Sequence, residues 1–204
     1  MPMVWIRRAA WALVGVAALV FAGLLSGLIP IANDRPRSPP YTHDIGGSFT
    51  LVDHTGRPVT ERDFAGRLHL VFFGFTHCPD VCPMALGLMA DVMYKLGLDA
   101  ERLAVLFITV DPERDTPAVL ADYLSAFDRR VIGLTGTPEQ IRAVAQAWRA
   151  YYRKVPRGNG DYTMDHTATI YLHDAAGRFR STIDLHDTTG SELEKVRGIL
   201  NAPD

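Results

Sequence analysis

The chain has 204 residues, room for one ordinary domain and a tail, with 48% hydrophobic and 22% charged residues, which excludes a disordered protein. The formal net charge is -2 and no basic stripe stands out, so nucleic acid is not an expected partner. Two cysteines exclude a disulfide scaffold and a four-cysteine zinc site; they permit one disulfide, or one metal site completed by another residue type.

From Ala9 to Ala32 there is no charged residue. About 21 residues at 1.5 Å each give about 31 Å, the thickness of one bilayer core. Trp5 and Trp11 suit an interfacial belt. The stretch is longer than a usual signal-peptide core and no Ala-x-Ala site follows it, so residues 1–32 read as an uncleaved membrane anchor. Arg7 and Arg8 before the span are matched by Arg35 and Arg37 after it. The very short N-terminal tail then favours export of the large domain, to the periplasmic side of the inner membrane if the source is bacterial. Residues 33–44, with Pro36, Pro39 and Pro40, read as an extended linker. Residues 45–204 are the expected domain.

Within it, Phe49–Val52 and a segment near Val59 flank the turn signal His54 to Pro58, a hairpin. Leu68–Phe75 reads as a buried strand, and Cys82 to about Leu96 as a helix with Met84, Leu88, Val92 and Leu96 on one face. Leu103–Val110 is a strand. Thr116 caps a helix opened by Pro117 and running to about Phe127. Val131–Leu134 is a short strand, and Thr137-Pro138 starts a helix reaching about Lys154. Arg157–Asp165 reads as a Gly-containing loop. Thr167–Leu172 and Phe179–Ile183 pair across Asp174 to Gly177, and Ser191–Leu200 is the last helix. This order predicts an α/β domain with a central, partly parallel sheet.

Cys78 and Cys82 fall at the first strand-to-helix corner, with Pro83 suited to the first helical turn. Unpaired helical N–H groups and the helix dipole favour thiolate there. Residues i and i+4 share a helical face, so the two sulfurs can converge on one metal ion or join as a disulfide. Buried structural cysteines are the bland alternative, but this corner is polar and bracketed by prolines.

Three blocks together carry a resemblance. Phe73-Gly74-Phe75-Thr76-His77-Cys78-Pro79-Asp80-Val81-Cys82-Pro83, Ile108-Thr109-Val110-Asp111-Pro112-Glu113-Arg114-Asp115-Thr116-Pro117 and Asp165-His166-Thr167 are similar, in order, to the motifs of the Sco/SenC family. These are copper proteins involved in assembling cytochrome c oxidase. The resemblance implies a thioredoxin-like central mixed sheet flanked by helices, which would follow the N-terminal transmembrane helix read from the uncharged stretch. It implies His166 as the third ligand beside Cys78 and Cys82, where thioredoxin-like redox proteins usually carry a cis-proline. Thiolates select Cu(I), and imidazole lets the same site hold Cu(II); zinc is chemically possible at such a donor set. The implied partners are the copper-bearing subunit of cytochrome c oxidase and other copper or thiol carriers.

His77 adjoins Cys78 and competes as a ligand, although adjacent side chains seldom converge on one ion. His43, His54, His69, His173 and His186 are expected at the surface or in turns. Met84, Met89 and Met93 read as core filler on one helix, and Met164 as packing over the site. Asp80, Asp111 and Asp165 are candidates to orient the ligands. The leading expectation is a membrane-anchored copper-binding protein that delivers copper to the dinuclear copper centre of the oxidase or prepares its thiols. The rival is a thiol–disulfide oxidoreductase of thioredoxin type, in which Cys78 attacks and Cys82 resolves. A peroxiredoxin-like enzyme would leave His166 without a role.

Overall fold

Two continuous apolar runs organise the domain. β3 (Leu68–Gly74) and β4 (Leu103–Thr109) are buried at every position and pair in parallel. Strands buried on both faces need helices above and below, which is how parallel strands are covered. The structure is a computed structural model; it describes Trp11 and residues 45–158, 160–185 and 190–202. The expected anchor (residues 1–32, Trp11 apart) and linker (33–44) lie outside the described residues.

The remaining strands are β1 (Thr50–Asp53), β2 (Pro58–Thr60), β5 (Val131–Thr135), β6 (Tyr152–Gly158), β7 (Asp161–His166), β8 (Thr169–His173) and β9 (Phe179–Asp184). Five of them join β3 and β4 in one seven-stranded sheet, in the order β2-β1-β5-β4-β3-β8-β9; β6 and β7 form a separate two-stranded sheet. β5 runs parallel to β4, while β8 is antiparallel to β3 and β1 is antiparallel to β5. Among the described residues of the domain the α-helices are α1 (Val81–Leu96), α2 (Pro117–Leu124), α3 (Pro138–Ala147) and α4 (Ser191–Leu200). This mixed sheet with flanking helices is thioredoxin-like, as expected.

Local chemistry sets the helix starts. The Thr116 hydroxyl accepts from the N–H of Val119 and Pro117 opens α2. Thr137 and Gln140 cap α3 reciprocally. In the core, Phe73 meets Trp148 and Tyr171 edge-on at ring separations of 6.1 and 6.0 Å. Each such fully buried aromatic contributes about 1.5–3 kcal/mol.

Three expectations need correction. The buried face of α1 is Cys82, Ala85, Leu86, Met89, Val92, Met93 and Leu96, whereas Met84 is exposed and Leu88 only half-buried. The apolar residues are spread around this helix, so their pattern alone selects the wrong stripe. The run Val81–Arg102 is long and apolar enough to cross a membrane by length and composition, but Cys82, Ala85, Leu86, Met89 and Met93 are sealed in the domain core. Second, α3 stops at Ala147, because Arg149 takes a left-handed φ of 53° that ends the helix. Third, the stretch read as helix tail and loop is the β6–β7 hairpin. Gly158 and Gly160 take φ of 87° and 78° at its turn, conformations that side chains resist.

Histidines also move inward. His69 and His173 are buried cross-strand neighbours, not surface residues. Each shares a hydrogen bond with a backbone carbonyl, His69 with Phe64 (3.0 Å) and His173 with Ile45 (2.8 Å). Trp148 packs on His173 at 4.2 Å. His54 accepts from the N–H of Gly133, while His43 and His186 lie outside the described residues.

Candidate metal centre

The site forms where β3 ends and α1 begins. Phe75 is buried, and the chain then turns so that the Cys78 N–H donates to the Phe75 carbonyl at 3.2 Å. Cys78 sits just ahead of the helix, where the N–H groups of Asp80 and Cys82 favour its thiolate. Cys82 lies in the first turn with its side chain fully enclosed. His166 is the last residue of β7. The Sγ atoms of Cys78 and Cys82 and a ring nitrogen of His166 all lie within 4.8 Å of one another. The separation of Cys82 Sγ and His166 Nε2 is 3.6 Å.

The imidazole is fixed on three sides. Its Nδ1 lies 3.1 Å from the Thr167 carbonyl. A carbonyl only accepts, so Nδ1 carries a proton and Nε2 is the ring nitrogen that faces the sulfurs. The rings of Phe72 and Phe75 meet it edge-on at 5.8 and 5.7 Å.

The thiols are inequivalent. The Cys78 pKa is pushed well below the ordinary thiol range, first by the hydrogen bond from Cys82, against the cost of burial, then by His166 and the backbone N–H groups. Cys82 is pushed up by donating that bond to Cys78 and by its own burial. The environment therefore favours thiolate at Cys78 over Cys82. Both cysteines are free thiols.

The other candidates fall elsewhere. His77 is exposed, and its Nδ1 faces the Thr76 hydroxyl at 3.0 Å, so it is not in the three-residue cluster. Met89 and Met93 are core residues, Met164 is buried in the hairpin, and Met84 is on the surface. Asp165 pairs with Arg153 at the surface, 2.7 Å away, so among the described residues the carbonyl of Thr167, not a carboxylate, orients His166. Asp80 precedes α1 without a side-chain cap bond. Asp111 is buried and accepts from the Tyr162 hydroxyl at 2.8 Å.

Asp115 was not among the candidates. It is fully buried and accepts from the Thr76 N–H (3.0 Å), the Thr76 hydroxyl (2.6 Å) and the Thr109 hydroxyl (2.6 Å). It thus ties the loop before Cys78 to the end of β4. Its partner is 39 positions away, a pairing no local pattern signals.

Two thiol sulfurs and one oriented imidazole nitrogen form a soft, three-donor set that suits copper, and thiolate is the form that binds. The set is complete in the folded chain, since all three atoms already converge.

A sequence profile described as SCO1/SenC matches residues 37–201. The chain belongs to this family. Among curated SCO1/SenC relatives, the mitochondrial SCO1 homolog of Mus musculus is 44% identical over 138 residues, 66% of this chain and 49% of that protein. The mitochondrial SCO2 of Saccharomyces cerevisiae is 40% identical over 162 residues, 78% of this chain and 54% of that protein. The chain thus spans about half the length of these relatives. Among solved structures, Bradyrhizobium japonicum ScoI with copper bound has 47% identity and a TM-score of 0.71, over 76% of this chain and 99% of that one. Yeast Sco1 with copper bound has 33% identity and a TM-score of 0.73, over 79% and 91%.

Proposed function

We propose that the chain is a membrane-anchored copper carrier of the SCO1/SenC family, with Cys78, Cys82 and His166 as its copper ligands. The observation that carries this reading is the convergence of the three donor atoms within 4.8 Å. Copper-bound structures of two similar proteins support it. Residues 1–32 anchor the protein, residues 33–44 space it from the bilayer, and residues 45–204 carry the metal on the extracytoplasmic side. The copper is cargo, passed to the copper-bearing subunit of cytochrome c oxidase. Both sulfurs are buried, but Cys78 keeps 9% exposure and so suits ligand exchange, whereas Cys82 is fully enclosed and retains the metal.

The test is a Cu(I) competition titration of the full-length chain in detergent. One copper should bind per chain, and Cys78→Ala, Cys82→Ala and His166→Ala should each weaken binding sharply. Parent-like binding by His166→Ala would remove the third ligand from the assignment.

The low pKa of Cys78 favours a second reading, a dedicated thiol–disulfide reductase. Cys78 would attack a partner disulfide, releasing one partner thiol and forming a mixed disulfide; Cys82 would then attack the Cys78 sulfur and release the second partner thiol, leaving the Cys78–Cys82 pair oxidised. His166 stands where a substrate disulfide would align, so turnover on insulin should be poor. Reduction at thioredoxin-like rates would promote the reductase over the carrier.

A further inference from the structure

The turn between β4 and α2 carries two buried carboxylates that reach in opposite directions. Asp115 holds Thr76, two residues before Cys78. Asp111 instead accepts from the hydroxyl of Tyr162, on β7. Arg114, paired with Asp111, lies over the Tyr162 ring at 3.8 Å and donates to the Tyr162 carbonyl at 3.1 Å. Lys154 of β6 sits 3.9 Å from the same ring centroid and bonds Glu113 at 2.8 Å. Both cations thus hold the Tyr162 ring.

This matters because the hairpin has no strand neighbour in the seven-stranded sheet. The ladder that fixes β3 against β4 does not fix His166. Tyr162 and His166 are four residues apart on β7, so their side chains leave the same face of the strand. A hydrogen-bonded path therefore runs from Thr76, in the loop before Cys78, to the Asp115 carboxylate, through the bond from the Asp115 N–H to the Asp111 carbonyl at 2.9 Å, and from the Asp111 carboxylate to Tyr162 on the strand that ends in His166.

We infer that the 111–115 turn is a two-armed bracket that sets the spacing between the thiols and the imidazole, with Tyr162 as the positioning residue of the imidazole arm. The inference rests on the reading of Cys78, Cys82 and His166 as the copper ligands. Loosening the Tyr162 arm lets His166 withdraw while the two thiols stay in place.

The test is the rate of copper release to a Cu(I) chelator from the full-length chain. Tyr162→Leu, which loses the hydroxyl and the ring, should release copper about tenfold faster than the parent. Tyr162→Phe, which keeps the ring, should fall between. In a His166→Ala background neither change should alter the rate, because the arm acts through that imidazole. A Tyr162→Leu rate equal to the parent's, or the same acceleration without His166, overturns the bracket. If Tyr162→Leu does not fold, Tyr162→Phe and Asp111→Asn carry the same comparison. If the parent holds no copper, the copper reading fails, and hydrogen exchange of the metal-free protein judges the bracket alone. Faster exchange at Asp161–His166 in Tyr162→Phe, with β3 unchanged, supports it; unchanged exchange in the hairpin overturns it.

Discussion

Gly74 closes β3 directly behind the inner sulfur. A Cβ added there would lie 2.8 Å from Cys82 Sγ, 2.7 Å from Phe107 Cε2 and 3.0 Å from Phe107 Cζ. Ordinary contacts start near 3.4 Å, so sulfur and ring must each retreat by about 0.6 Å. Cys82 is on α1 and Phe107 on β4, and both are fully buried, so the methyl wedges helix from sheet. Overpacking of this kind costs about 1–3 kcal/mol. With a urea slope of about 2 kcal/mol/M, the midpoint of Gly74→Ala should fall by about 0.5–1.5 M. The displaced sulfur should also lower copper affinity about tenfold or more. Gly87→Ala is the control: it lies on α1 with nothing within 4 Å of the new Cβ, and should be neutral or stabilising by up to about 1 kcal/mol. Urea denaturation and chelator competition on the two variants read both effects. A Gly74→Ala protein with the parent midpoint and affinity would refute the argument that this glycine makes room for the ligand.

Asp115→Ala strands the N–H and hydroxyl of Thr76 and the hydroxyl of Thr109, and should cost about 2–4 kcal/mol in the same denaturation assay. Burial lowers the pKa of both His69 and His173, with Asp174 opposing and Arg67 adding to the shift of His69. Each stays neutral when folded but protonates near pH 6.5 when unfolded, so their contribution is full above about pH 6.5 and is lost as pH falls below it. The urea midpoint should therefore decline below that pH, and His69→Gln should flatten the decline. Oxidation to a Cys78–Cys82 disulfide should abolish Cu(I) binding, because the proposed ligands bind as thiolates; stoichiometric tight binding by the oxidised chain would exclude redox gating.

Much of the fold is legible in local pattern. The continuous apolar runs of β3 and β4 announce buried parallel strands, and the Thr-Pro pairs at 116 and 137 mark two helix starts. The β6–β7 hairpin is not legible in this way, because six of its thirteen strand positions are merely half-buried or buried and its exposed charges break the alternation. The cysteine corner follows from strand, spacing and proline together. His166 does not: its isolated position carries no signal, and only the three motifs in order point to it. Asp115 and Tyr162 act across 39 and 51 positions, contacts that only the folded chain reveals. The motif from Ile108 to Pro117 is visible as a resemblance, but its two carboxylates divide their work in a way that requires the hairpin to be seen.

X-ray absorption at the copper edge of the full-length chain, loaded with one equivalent of Cu(I), tests the central claim most directly. The account predicts a first shell of two sulfur atoms and one imidazole nitrogen, with the nitrogen lost in His166→Ala and one sulfur lost in each cysteine variant. A shell that keeps its nitrogen in His166→Ala, or that shows a single sulfur in the parent, would contradict it.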